Sequence, residues 1–254
     1  MRVVIIGSGN VATVLGKRIV RAGHEVVEVW SRNLKPAREL AVLLNTTVSK
    51  DIRSVAPADL YILAVTDAAV QEISAQLNIN NALVVHTAGS VSINSLETCS
   101  ANTGVLYPLQ SIRKERDAMI RIPLLIDGNN EYALGLLNEF ASSISNDVRV
   151  INDEQRLHLH VAAVILNNFS NHLYTLATDY CGKSNIDFSL LLPLITETGE
   201  RLTDMNARDV QTGPAVRKDT VTINRHLSLL EEEPDLREIY TLFTEKIISY
   251  YGVH

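Results

Sequence analysis

The segment Gly7-Ser8-Gly9-Asn10-Val11-Ala12 constrains this chain more than any other, because of what stands on either side of it. Before it runs Val3-Val4-Ile5-Ile6, an unbroken apolar stretch of the kind that forms a parallel strand covered on both faces. After it, Val11, Val14, Leu15 and Ile19 recur at helical spacing over residues 10 to about 21. Gly7 permits the tight turn from strand to helix, Gly9 leaves the backbone uncovered, and Ala12 is small enough for the helix to lie close on the sheet. A helix begun in this way offers free N–H groups to an anion, so the segment reads as a cradle for a dinucleotide diphosphate. The alternative is a plain strand-to-helix turn with two glycines. The second strand at the expected distance, Val26-Val27-Glu28-Val29-Trp30, argues against it.

The end of that second strand carries the choice of cofactor. A site for NAD places an acid there, about 20 residues beyond the glycines, to bind the ribose hydroxyls. Here the chain reads Ser31-Arg32-Asn33, and Glu28 falls too early along the pleat. A carboxylate would repel a 2′-phosphate, whereas the Ser31 hydroxyl and the Arg32 guanidinium bind one. NADP is the expected cofactor.

Further strands read at residues 60–65 and 83–85, with weaker ones at 123–126 and 148–151, and helices intervene. Alternating strands and helices imply an α/β fold, a doubly wound parallel sheet. Near residue 150 the texture becomes helical, with one long pattern from Asp153 to about Tyr180 and three shorter ones behind it. The expected domains are 1–150 and 151–254. Ligands of open α/β sheets bind beyond the carboxyl ends of the strands. Ala64, Val65 and Thr66 therefore join the cofactor-binding set, and Asp67 either caps the next helix or faces the ligand. His86, before Thr87-Ala88-Gly89, stands where it donates a proton to the hydride acceptor or bonds a backbone carbonyl. On the long helix His160, Asn167 and Asn171 fall on one polar stripe among apolar neighbours. Their partners are substrate and nicotinamide, or other helices. Thr212-Gly213-Pro214 reads as a turn opening a helix, with Arg217 holding an anion or pairing with Asp219.

Composition excludes several classes. A net charge of −6, with a single basic run broken by Glu115, gives no footprint for nucleic acid. Two distant cysteines, Cys99 and Cys181, suit free thiols in a reducing compartment and no metal cluster. No apolar run approaches the roughly 18 residues of a membrane span, and the expected location is cytoplasmic.

The combination GSGNVA, HTAGS, YPLQS, HVAAVILNN and TGPAVRKD resembles, across the whole chain, a family of Rossmann-like NADP oxidoreductases with a helical C-terminal domain of unknown function. More distantly it is similar to pyrroline-5-carboxylate reductases and deazaflavin-dependent NADP reductases. The resemblance implies an all-α C-terminal domain of the 6-phosphogluconate dehydrogenase type, a cofactor cleft between the domains and a homodimer joined through the helical halves. It maps family motifs onto His86 to Gly89, Tyr107 to Ser111, His160 to Asn168 and Thr212 to Asp219. Tyr107 stands where many members have His, Ala88 where Ser is usual, and Lys218 where Gly is usual. The lysine of hydroxyacid dehydrogenases has no counterpart here, which disfavours a hydroxyacid.

The expectation is hydride transfer between NADPH and a small carbonyl or imine substrate. NADPH would lie on Gly7, Ser8, Gly9, Asn10, Val11, Ser31, Arg32, Ala64, Val65 and Thr66. His86, His160 and Asn167 are the catalytic candidates, and Asn168 and Arg217 the substrate-binding ones. The alternative is a non-catalytic NADP-binding redox sensor or partner protein.

Overall fold

The structure, a computed structural model, describes residues 1–116 and 121–252. It divides into two compact units, Met1–Asn168 and Phe169–His254.

The first unit is built on eight strands: β1 (Arg2–Ile6), β2 (Glu25–Trp30), β3 (Thr47–Val48), β4 (Leu60–Leu63), β5 (Leu83–His86), β6 (Asn102–Pro108), β7 (Leu124–Gly128) and β8 (Val148–Val150). They lie in the order β3-β2-β1-β4-β5-β6-β7-β8. Strands β1 to β6 pair in parallel, but β7 runs antiparallel to β6, and β8 follows β7. The sheet is therefore not parallel throughout, as the alternation alone implied. The chain passes from β6 to β7 without a crossover helix among the described residues, and two adjacent strands joined directly must reverse direction.

Four helices interleave with these strands: α1 (Asn10–Arg21), α2 (Leu34–Leu44), α3 (Asp67–Ser74) and α4 (Glu131–Ile144). Side chains alternate across β1, so Val3 and Ile5 join one core with Leu15 and Ile19 of α1, while Val4 and Ile6 join another with Val70 and Ile73 of α3. Helices on both faces explain why β1 is apolar without alternation. Ala12 is fully buried, as a close helix-to-sheet approach demands.

The change of texture at residue 150 is a change of secondary structure and not the division between the units. Helix α5 (Asp153–Ala163), opened by a reciprocal cap between Asn152 and Gln155, belongs to the first unit. Arg156 donates to the Val91 carbonyl, Asp153 accepts from the Ile93 N–H, and His160 meets Tyr107 on β6. The helix continues through a π turn, Val164–Phe169, into α6 (Ser170–Lys183). It runs a little past the expected Tyr180, and the chain turns at Asn185, where φ is 53°.

The second unit holds α6 with α7 (Leu192–Arg201), α8 (Thr220–Leu229) and α9 (Pro234–Tyr251). Lys183 pairs with Glu233 at 2.6 Å, and Tyr240 meets His226 at 2.8 Å, tying α6 and α8 to the start and middle of α9. The helix expected from Pro214 begins later, at Thr220, capped by Asp219 instead of Thr212. The N–H groups of Lys218 and Asp219 are consumed inside the turn by Ala215 and Pro214 carbonyls, which leaves them unavailable to an anion. Among the described residues no helix is long and apolar enough to cross a membrane.

Candidate functional site

Strand order reverses between β2-β1 and β4-β5, and a cavity of about 570 Å³ opens beyond the carboxyl ends of these four strands. Every residue expected to hold the cofactor lines it: Gly7, Ser8, Gly9, Asn10 and Val11 after β1, Ser31 and Arg32 after β2, and Ala64, Val65 and Thr66 after β4.

The two glycines are required for different reasons. Gly7 has a φ of +125°, and a Cβ there would stand 2.0 Å from the Ala64 carbonyl oxygen. Its N–H donates to the Trp30 carbonyl at 2.7 Å, which closes the turn against β2. A Cβ at Gly9 would meet nothing within 4 Å. Gly9 is thus open toward the cavity, at the N-cap of a helix with no side-chain cap and no acid in its first turn. The first N–H groups of α1 are left for an outside acceptor, which fits a diphosphate.

Near the end of β2, Trp30, Ala69 and Ile73 add apolar wall to the cavity. Ser8 donates to Ser31 at 2.9 Å, bridging the ends of β1 and β2. Glu28 is turned away and accepts from the Ala56 N–H at 2.7 Å, so β2 itself turns no acid into the cavity. The exposed Arg32 faces the cavity and pairs with Glu72 of α3.

The other end is formed by Thr87, Ala88 and Gly89 after β5, with Tyr107 and His160. The Tyr107 hydroxyl lies 3.0 Å from His160 Nδ1. A Cβ at Gly89 would stand 2.5 Å from that nitrogen and 2.9 Å from Tyr107 Cζ, so the pair lies directly over this glycine. Asp67 does not cap α3, which Thr66 precedes; its carboxylate accepts from the Ser90 hydroxyl beside the same glycine. Burial, and after it the charge of Asp67, hold the Tyr107 phenol above its ordinary value, with the Arg156 cation acting the other way. The phenol is therefore protonated throughout the neutral range.

His86 is not in this wall. It is completely buried, its Nδ1 accepts from the Ala88 N–H at 3.2 Å, and its Nε2 makes no hydrogen bond. Burial lowers its pKa to about 4, and the nearby Arg156 cation acts in the same direction. A histidine that is neutral at pH 7 is a very weak acid, and this one does not line the cavity, so its expected catalytic role is withdrawn. The strand places the backbone of residues 87–89, not the imidazole, at the site.

His160 reaches the cavity as expected, and it also lines a neighbouring pocket of about 300 Å³ with Tyr107, Gln110, Ser111, Asn167 and Asn168. Asn167 and Asn168 both belong to the π turn. The helix that carries them is not the buried one that its apolar residues implied: Val161 and Ile165 are half exposed, and Leu166 is 75% exposed. Arg217 lies exposed in the turn before α8, in the second unit. Sequence reasoning missed Tyr107 as a site residue. Its only signal was the YPLQS motif of the family resemblance, and the strand that carries it, β6, was not expected.

Arg156 is buried to 1% exposure, one helical turn before His160. One nitrogen bonds Asp153 and the Val91 carbonyl, while Nε and Nη1 have no partner. Among the described residues no group of three or more His, Cys, Asp or Glu side chains gathers as a metal site would.

Comparison with known proteins agrees with this architecture. Residues 2–89 match the family described as NADP oxidoreductase, coenzyme F420-dependent, and residues 122–247 match a domain of unknown function, DUF2520. No curated protein matches the chain. Among solved structures, a Bacteroides fragilis protein described as a "putative NADP oxidoreductase" is 38% identical, with 98% of each chain covered and a TM-score of 0.91. A Thermotoga maritima protein is 20% identical over 99% of this chain and 98% of its own, with a TM-score of 0.74. An Aspergillus terreus reductive aminase in complex with NADPH and ethyl-5-oxohexanoate is 14% identical, over 98% of this chain and 94% of its own, with a TM-score of 0.74. The last two share the fold. The chain belongs to the family of NADP-dependent oxidoreductases in which a Rossmann-like nucleotide domain precedes a helical domain of unknown function.

Proposed function

We propose that the protein transfers hydride between NADPH and a small carbonyl or imine substrate, with Tyr107 and His160 handling the proton. The observation that carries this reading is the phenol–imidazole pair over Gly89, at the end of the cavity opposite Arg32. NADPH supplies the hydride when bound. Gly7, Ser8, Gly9, Asn10 and Val11 would hold its diphosphate, Ser31 and Arg32 its 2′-phosphate, and Ala64, Val65 and Thr66 the backbone track toward the nicotinamide.

Tyr107 would give its phenolic proton to the oxygen or nitrogen of the substrate as the carbon is reduced. With Nδ1 unprotonated, His160 accepts the Tyr107 O–H at rest and orients it; after transfer the phenolate would recover its proton from solvent in the cavity. Asn167 and Asn168 bring amide donors and acceptors to the adjoining pocket, where they would orient the substrate. NADPH oxidation followed against a panel of cyclic imines, ketones and aldehydes tests the reading. Tyr107→Phe should lower kcat by about a hundredfold, a typical loss for a general acid, and leave NADPH affinity unchanged. Binding without turnover on the whole panel would favour the non-catalytic sensor instead.

The bare apolar side chains Val161, Ile165, Leu166 and Phe169 support a second proposal: a second copy of the chain covers this face, making a homodimer through the helical region. The buried free thiols Cys99 and Cys181 suit a cytoplasmic setting.

A further inference from the structure

Helix α3 turns Ala69 and Ile73 toward the adenosine end of the cavity, and from the same helix Glu72 reaches across to Arg32. Glu72 Oε2 lies 2.6 Å from Arg32 Nη2, and the two side chains are 62% and 56% exposed. An ion pair this open to water is weak and screened by salt, so a stronger anion displaces it.

We propose that Glu72 tempers the preference for a 2′-phosphorylated dinucleotide by competing with the 2′-phosphate for the Arg32 guanidinium. The proposal rests on the reading that NADPH lies with its adenosine end at Arg32. A phosphate binds a guanidinium through two parallel hydrogen bonds and carries more charge than a carboxylate. When it takes Arg32, Glu72 loses its partner and faces a group of its own sign. A dinucleotide without the phosphate leaves the Arg32–Glu72 pair undisturbed. Glu72 therefore weakens the binding of one cofactor and not the other. Its position on α3, and not on the β2 loop where a discriminating acid is ordinarily sought, places this control in the helix after β4.

Calorimetric titrations at low salt with NADPH, NADH, 2′,5′-ADP and 5′-ADP test it. Because both side chains are exposed, Glu72→Gln should fold as the parent does. It should tighten NADPH and 2′,5′-ADP by about fivefold, the size of an exposed charge interaction, and leave NADH and 5′-ADP unchanged. Arg32→Ala should weaken NADPH far more than NADH, and adding Glu72→Gln to it should have no further effect. Weaker NADPH binding by Glu72→Gln would mean that Glu72 orients Arg32 and would overturn the proposal, as would equal changes for both dinucleotides or none. If the parent protein binds neither dinucleotide, the placement of the cofactor fails as well. If it binds NADPH and Glu72→Gln is silent, only the competition fails.

Discussion

Gly7 and Gly9 are two residues apart and fail in opposite ways when replaced. Alanine at position 7 must take a φ that L-residues avoid and must displace a backbone carbonyl, so Gly7→Ala should destabilise the fold by about 3 kcal/mol or more in denaturant melts. A Cβ at position 9 meets no protein atom within 4 Å and the local φ of −81° suits any residue, so Gly9→Leu carries no backbone strain. It should melt within about 1 kcal/mol of the parent yet lose NADPH binding about a hundredfold, because the side chain fills the diphosphate cradle. Normal NADPH affinity in a folded Gly9→Leu protein would remove the cradle from the site. These roles were legible from sequence, since a strand, two glycines and a helix admit few geometries. Tyr107 was not. Its partner lies 53 positions later, and nothing in local spacing announces which strand-end phenol will meet an imidazole from a distant helix.

At the scale of elements, β5 shows why a motif can mark the right place and the wrong atom. The turn after His86 does border the cavity, but the imidazole itself is buried in the unit. Burial leaves an acid signature. Its pKa is about 4 in the folded state and near the ordinary 6.5 when unfolded, so the unfolded chain takes up a proton that the native one refuses. Stability contributed by neutral His86 is complete above pH 6.5 and declines as pH falls toward 4, by about 3 kcal/mol in all. Melts between pH 7 and 4.5 should show a shallower decline for His86→Asn than for the parent. Parallel slopes would contradict a neutral buried imidazole. The reversal of β7 was likewise hidden from periodicity, which reports strands but not their direction. Sequence also showed one continuous helix from Asp153 and could not show its π turn, since the apolar repeat tolerates one widened turn without a visible break.

For the whole molecule, the proposed second copy predicts a sedimentation coefficient of a dimer at micromolar concentration. Leu166→Glu, at a site with 75% exposure in the single chain, should shift it to the monomer without unfolding either unit. A monomeric parent would leave the bare face without its assigned partner. The helix that bears this face crosses from one compact unit into the other through Val164–Phe169. A π turn accommodates one residue more than an α turn, and one residue is worth about 100° of rotation. Deleting a single amino acid there would restore an ordinary α turn, because the widened turn absorbs the extra residue and leaves the turns on either side in register. So short a length of chain is slack: it is where the helix takes up one codon without a change of register.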